Sequence, residues 1–500
     1  MSAFNPSKTW WFSLTNSSTS QHRATTAPKG ARLVVLLWIT LSLAWLSQDL
    51  LLRDGDEEGH VGAAELFLSD LNSGEWLGFF ERLFIGPMGE YPQAFTAGVG
   101  AWWWAIGEGL PGTLTVRAIC LVSLLATGLA TGRIARRLVH ASNAGRAEIF
   151  ALVGVLCLPL GNGLTRHFMP EGALMAAVSL SILAMFRWVE RPNLSRAVQL
   201  GAVVGMGLMT KQTFILGAAL PLIWVGRRLG RSVWRRVLPA VLTAAAIAGP
   251  WIVSNLSNQM KYSTESISGN GGGELLAHLG FYPLAVLKSG LGPPLALAFL
   301  LAAFSLWRSG DRRALLPTLI WFVGGMLILL LIPKKYPRLM APLLPGAVLC
   351  IAAAMVKVQI QSRWIAVSAA LSIPWVILTS VWKAPTHTRN PEVDRGCPQV
   401  WMRPPIASSV GLAETAQALS TQPDGDVLVT HDPEIPCSLQ TTHNWSTHLG
   451  PYLRRVGAER TVHIDPNLPH RFVLAWAKEG GEIHVEPLSL GLNIRDTITP

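Results

Sequence analysis

The feature that most constrains this chain is a series of apolar runs that recurs from residue 33 to residue 382. They fall at 33–52, 113–132, 147–162, 172–187, 197–210, 212–226, 238–254, 290–307, 314–333, 339–356 and 364–382. A helix needs about 20 apolar residues to cross the hydrocarbon core of a bilayer. Half of the 500 residues are hydrophobic and only 14% are charged, which leaves too little polar surface to enclose so many apolar helices in water. The expected fold class is therefore an α-helical polytopic membrane protein of about 11–12 spans. The first run is too long for a signal-peptide core, and no small-residue cleavage pattern follows it, so it is expected to stay as an anchor.

The net charge of +11 does not indicate nucleic acid, because the basic residues sit in short clusters between apolar runs. Lys29 and Arg32 precede the first run, and Arg133, Arg136, Arg137 and Arg146 follow the second. Arg187, Arg191 and Arg196 come next, then Arg227, Arg228, Arg231, Arg235 and Arg236, then Arg308, Arg312 and Arg313, then Lys357 and Arg363. The positive-inside rule makes all of these cytoplasmic at once if residues 93–108, QAFTAGVGAWWWAIGE, do not cross fully. Three consecutive tryptophans suit that stretch to an interfacial or re-entrant helix; a twelve-span arrangement with one charge violation is the alternative. The same parity puts the N-terminus in the cytoplasm. It puts the loops 53–112, 163–171, 255–289 and 334–338, and everything after about 383, outside a plasma (bacterial inner) membrane. Thr210-Lys211-Gln212 interrupts an apolar stretch with basic flanks on both sides, which places Lys211 at an outer turn.

Three regions follow. Residues 1–30 are rich in Ser and Thr, lack periodicity and read as a disordered cytoplasmic segment. Residues 31–383 form the membrane domain. Residues 384–500 lose the long apolar runs and read as a small extracytoplasmic α/β domain, with strands at 426–430, 461–464, 471–476 and 482–487 and a helix at 443–457. Cys120, Cys157 and Cys350 lie in apolar runs as core residues, whereas Cys397 and Cys437 could pair in an oxidising compartment.

Asp54, Asp56, Glu57 and Glu58 place four carboxylates within five residues just after the first run, so the chain surfaces there. The same face collects His60, Glu90, Arg166, His167, Glu171, Lys211, Lys334, Lys335 and Arg338. Cations on that face oppose the positive-inside bias and ask for a reason. Cations suit a phosphate, and a neighbouring carboxylate suits proton removal from a hydroxyl.

The order of these pieces resembles the GT-C superfamily of polyprenyl-phosphate-sugar-dependent glycosyltransferases, most closely the branch of protein O-mannosyltransferases and lipid A aminoarabinose transferase. The family's Asp-Glu pair after the first membrane helix is matched by Asp56-Glu57, and its small-residue helix by GAAELFLSDLNSGEW at 62–76. Its Tyr/Glu-Lys-Pro or Tyr-Pro-Pro element resembles Glu90-Tyr91-Pro92-Gln93, and its Pro-Glu resembles Pro170-Glu171. Its Leu-Thr-Lys resembles Met209-Thr210-Lys211, and its Lys-x-x-Arg-Tyr-x-x-Pro-x-x-Pro resembles the stretch from Lys335 through Arg338 to Pro345. Leu339 stands where the family usually has Tyr, and Gln93 stands in place of the second Pro.

The resemblance implies an inverting transferase that moves a sugar from a polyprenyl-phosphate donor to a hydroxyl on a glycan, lipid or protein acceptor. It implies Asp56 as base and Glu57 as its orienting or acceptor-binding neighbour. Glu90, Tyr91, Glu171, Lys211, Lys335 and Arg338 are the implied substrate-binding residues, with the cations on the phosphate. No cofactor is required; a divalent metal would have Asp56, His60 and Glu90 as weak candidate ligands. Besides the polyprenyl-phosphate sugar and the acceptor, the only expected partner is membrane lipid. The competing reading is a secondary transporter or lipid flippase, which predicts inverted repeats and charges near the bilayer midplane. No repeat is evident in the sequence, and the charges group at one face.

Overall fold

The structure, a computed structural model, describes residues 29–47, 55–85, 92–107, 112–166, 168–226, 234–258, 260–261, 275–332, 336–357 and 362–381, together with five strands between 427 and 498. The chain begins with α1 (Lys29–Leu46), α2 (Gly55–Asn72), the short α3 (Trp76–Phe84), α4 (Ala94–Ile106) and α5 (Gly112–Leu138). It continues through α6 (Ala144–Leu156), α7 (Pro159–Thr165), α8 (Pro170–Glu190), α9 (Leu194–Thr210), α10 (Phe214–Gly226) and α11 (Trp234–Ser254). After these come α12 (Leu275–Ala285), α13 (Gly292–Arg308), α14 (Arg312–Thr318), α15 (Gly325–Leu330), α16 (Leu344–Lys357), α17 (Ser362–Ala370) and α18 (Ser372–Val381).

Each apolar run has a helical counterpart. Four stretches, Leu114–Leu138, Pro170–Glu190, Arg236–Ser254 and Pro337–Lys357, are long and apolar enough to cross a membrane. Two more runs are bent pairs, α6 with α7 at 60° and Leu279–Gly290 with Gly292–Arg308 at 112°. Shorter apolar helices account for the rest. Within 93–108 the helix α4 takes Ala94–Ile106, 13 residues, well short of the roughly 20 residues a full crossing takes.

Both bends have local causes. At the first, Pro159 begins a new helix where no N–H is needed, and the carbonyls left over must find donors. The buried Asn162 supplies them, its Nδ2 donating to Leu156 O at 2.7 Å and Leu158 O at 2.9 Å. Its Oδ1 accepts from Trp38 Nε1 of α1 at 3.0 Å, so the break is also tied to the first helix. At the second bend Gly292 has φ +69°, a conformation that only glycine adopts freely.

α8 and α16 form the middle of the bundle. Every residue from Leu344 to Ala354 in α16 is buried, and α8 buries residues on all sides. α9 and α11 pack so closely that a Cβ on Gly201 would lie 2.2 Å from Ala240 O. α4 lies against α2 in the same way, since a Cβ on Gly100 would fall 2.7 Å from the Phe67 Cβ. Small residues at such crossings let backbones approach in a setting where apolar burial gives helices little preference for each other over lipid.

In the C-terminal region β1 (Val427–Asp432), β2 (Val462–Ile464), β3 (Arg471–Ala477), β4 (Ile483–Pro487) and β5 (Asp496–Ile498) form one sheet in the order β2-β1-β3-β4-β5. β1 pairs parallel with β2 and antiparallel with β3, with Val429 opposite Leu474. β1 to β4 overlap the four strands read from the sequence. The helix expected at 443–457, Cys397, Cys437 and residues 1–28 lie outside the described residues.

Candidate functional site

The N-terminus of α8, the C-terminus of α9 and the turn before α16 meet at one point. Pro170 fits the first helical position, where its missing N–H costs nothing, and Met169 before it is extended. That puts Glu171 in the first turn, where an anion is favoured by the helix dipole. α9 ends at Thr210, and Lys211 turns extended (φ −165°, ψ 141°) before α10 begins at Phe214. The third piece is the 3₁₀ helix Pro337–Leu343, which carries Arg338 in its first turn. Trp321 braces it, its Nε1 donating to Pro342 O at 3.0 Å.

Three side chains from these elements converge. Lys211 Nζ lies 2.6 Å from Glu171 Oε1, and Arg338 Nε lies 3.4 Å from the same oxygen. Glu171 is fully buried, and Lys211, at the turn between α9 and α10, is only 7% exposed. Glu171 Oε2 is buried and has no hydrogen-bond partner among the described residues. The Arg338 guanidinium also sits 5.1 Å from the centre of the Tyr336 ring. One buried carboxylate thus faces two cations, and such a pair is held in a low-dielectric setting where charge counts for more than in water.

α2 approaches this cluster through an aromatic wall. His60 meets Phe95 edge-on at 6.1 Å and Phe168 at 6.4 Å, and Phe168 stands three residues before Glu171. Positions 56 and 57 belong to the first turn of α2, one turn before His60. The side chains of Asp56 and Glu57 lie outside the described residues, as do Glu90, Tyr91, Lys334 and Lys335. Among the described residues no group of three His, Cys, Asp or Glu side chains could hold a metal.

Several further contacts around the cluster join residues whose pairing the sequence alone does not reveal. Arg82 of α3 grips Asp70 of α2 through two bonds, Nε to Oδ2 at 2.9 Å and Nη2 to Oδ1 at 3.3 Å. That hydrogen-bonded carboxylate raises the Arg82 pKa. Leu83 and Phe84 then pack with Met209 and Trp251, and Asn255 Nδ2 donates to Ile85 O at 3.3 Å. α3 is in this way fastened both to α2 and to the end of α9 that delivers Lys211. Arg166 stacks over the Trp45 ring at 4.7 Å, and Arg117 is fully buried in α5. Arg117 lies inside an otherwise apolar run, and that was the one available clue.

The far end of the bundle is different in character. α8 is 21 residues long, so Glu190 is about 30 Å from Glu171. There Arg137 Nε bonds Glu190 Oε1 at 2.7 Å, Arg136 pairs with Glu148, and Lys357 at the end of α16 pairs with Asp311.

Residues 97–253 match the family model described as dolichyl-phosphate-mannose-protein mannosyltransferase, a segment that includes Glu171 and Lys211. No curated protein sequence matches the chain. Among solved structures, ArnT from Cupriavidus metallidurans bound to undecaprenyl phosphate aligns with a TM-score of 0.57 at 16% identity, over 86% of this chain and 85% of that one. The apo form of the same enzyme gives 0.56 at 16% identity, over 87% and 86%. The Archaeoglobus fulgidus oligosaccharyltransferase gives 0.45 at 10% identity, over 79% and 58%. Over residues 97–253 the chain is thus similar to the dolichyl-phosphate-mannose-protein mannosyltransferases, and it shares the fold of ArnT.

Proposed function

We propose that the chain is an inverting glycosyltransferase that moves a sugar from a polyprenyl-phosphate donor to a hydroxyl acceptor at the outer face of a plasma membrane. The observation that carries the proposal is the convergence of Lys211 and Arg338 on buried Glu171, at the end of α8 away from the arginine-rich end. The positive-inside rule assigns that arginine-rich end to the cytoplasm, which supports an outer position for the cluster. The undecaprenyl phosphate in the ArnT structure supports a polyprenyl-linked ligand for this fold.

In this reading Lys211 and Arg338, with Lys335, hold the donor phosphate, Arg338 being suited to bidentate contact. Asp56 takes the proton from the acceptor hydroxyl, and Glu57 orients it. The hydroxyl oxygen attacks the anomeric carbon from the face opposite the phosphate. The bond from that carbon to the phosphate oxygen breaks, and polyprenyl phosphate leaves with the electron pair. Cations at the phosphate stabilise the charge that grows on the leaving oxygen. Glu90 and Tyr91 are proposed as sugar contacts. The C-terminal region is proposed as a small extracytoplasmic α/β domain.

The test is sugar transfer from polyprenyl-phosphate donors in membranes carrying Asp56→Asn or Lys211→Gln. Loss of a positioned base typically costs about 10²–10⁴-fold in rate. Full transfer by Asp56→Asn would remove Asp56 as base. Substrate flux without release of lipid phosphate would favour the transporter reading instead.

A further inference from the structure

Glu171 is more than a partner for two cations. We propose that Glu171 sets which phosphate ligand the Lys211–Arg338 pair prefers, favouring the phosphodiester of an intact donor over the phosphomonoester left after transfer. The inference rests on the reading of Lys211 and Arg338 as the phosphate holders. The residue acts through those cations and through the charge of the pocket, so it is a positioning residue rather than a catalytic one.

The geometry gives the reason. Both cations address the same oxygen, Glu171 Oε1, at 2.6 Å and 3.4 Å. A phosphate that engages Lys211 and Arg338 must therefore come close to the carboxylate. The carboxylate cannot retreat into water, because its side chain is 1% exposed. Its other oxygen has no hydrogen-bond partner among the described residues, so on that side no described donor offsets the repulsion.

The two ligands differ in charge. The donor is a diester with one negative charge, and the product is a monoester with about −1.5 to −2 above a second ionisation near pH 6. Coulomb repulsion scales with the product of the charges, so Glu171 opposes the product up to about twice as strongly as the donor. Other charges in the pocket shift both ligands' affinities, but removing Glu171 must change the monoester more than the diester. The carboxylate thereby weakens product retention while leaving donor binding workable.

The test uses the full chain in lipid nanodiscs, with undecaprenyl phosphate as the monoester and undecaprenyl methyl phosphate as a diester of the same lipid. Dissociation constants are measured for both, above pH 7, with wild type, Glu171→Gln, Glu171→Asp, Lys211→Gln and Arg338→Gln. Glu171→Gln is expected to tighten the monoester by roughly tenfold and the diester by no more than about threefold, while Glu171→Asp keeps the wild-type ratio. An equal change for both lipids, no change, or weaker monoester binding overturns the proposal. If Glu171→Gln does not fold, Glu171→Met, neutral and of similar length, takes its place and is read by the same change in the monoester-to-diester ratio. If Lys211→Gln and Arg338→Gln leave both lipids bound as before, the phosphate-holding reading itself fails. If they weaken both while the Glu171→Gln ratio stays fixed, only the present proposal fails.

Discussion

Lys211 and Glu171 are joined at 2.6 Å across forty positions of sequence, and both are buried. Glu171 is fully buried, so removing Lys211 leaves its carboxylate with the longer Arg338 contact at 3.4 Å. Breaking a buried ion pair by deleting one member typically costs about 3–5 kcal/mol, because the other charge is left uncompensated. Lys211→Met should therefore lower the melting temperature of the detergent-solubilised protein markedly. The double variant Lys211→Met/Glu171→Gln should regain most of that loss, since no orphan charge remains apart from Arg338 nearby. Sugar transfer should stay low in both. Equal melting temperatures for the single and double variants would mean that the two side chains do not stabilise one another.

A second prediction concerns the clasp between α2 and α3. Asp70 is 6% exposed, and Arg82 meets it with two bonds from one guanidinium. Charge-assisted bidentate pairs are stronger than ordinary surface pairs. A double-mutant cycle with Asp70→Asn and Arg82→Gln should give a coupling of about 1–2 kcal/mol. Arg82→Lys should recover only part of it, because an ammonium cannot form the two-pronged contact. A coupling near zero would leave packing of Phe79 against Phe67, 5.1 Å between ring centres, as the main fastening of α3.

The legible and illegible parts of this molecule divide along physical lines. The apolar runs could be read because bilayer thickness sets a length that composition alone must meet. Glu171, Lys211 and Arg338 could be noticed because a charge in or beside an apolar run is costly and so asks for a partner. Which charges meet could not be read, since that depends on how α8, α9 and the Pro337–Leu343 turn are arranged in space. The hinge at Asn162 was hidden for the same reason: a lone Asn in an apolar run does not reveal that it will serve Leu156, Leu158 and Trp38 at once. The helical phase also hides Asp70, which looks like one more polar residue of a surfacing loop.

A third prediction tests the close crossing of α9 and α11. A methyl group at Gly201 would sit 2.2 Å from Ala240 O and 2.8 Å from Thr243 Cβ, and backbone cannot yield as a side-chain tip can. Gly201→Ala should destabilise the protein by about 1–3 kcal/mol, the usual cost of overpacking. Gly98→Ala has nothing within 4 Å of the added carbon and should be tolerated. If Gly201→Ala melts like wild type, α9 and α11 do not cross as closely in the membrane as described.

The last prediction concerns orientation, on which the outer-face reading depends. Ser73 follows α2, and it lies toward the end of the molecule that holds α3 and the Lys211 cluster. Ser142 lies between α5 and α6, beside the arginine-rich end. Both are exposed. In a variant free of native cysteines, Ser73→Cys should react with a membrane-impermeant maleimide added to intact cells. Ser142→Cys should react only after the membrane is opened. The physical basis is that arginines near short loops resist translocation, whereas Asp and Glu contribute little to topology. Arg133, Arg136, Arg137 and Arg146 flank Ser142, while α2 and α3 bring Asp70, Glu75, Glu81 and Arg82 around Ser73. The reverse labelling pattern would put the Lys211–Glu171–Arg338 cluster on the cytoplasmic side. Donor and acceptor would then have to be sought there, and the proposed transfer at the outer face would fall.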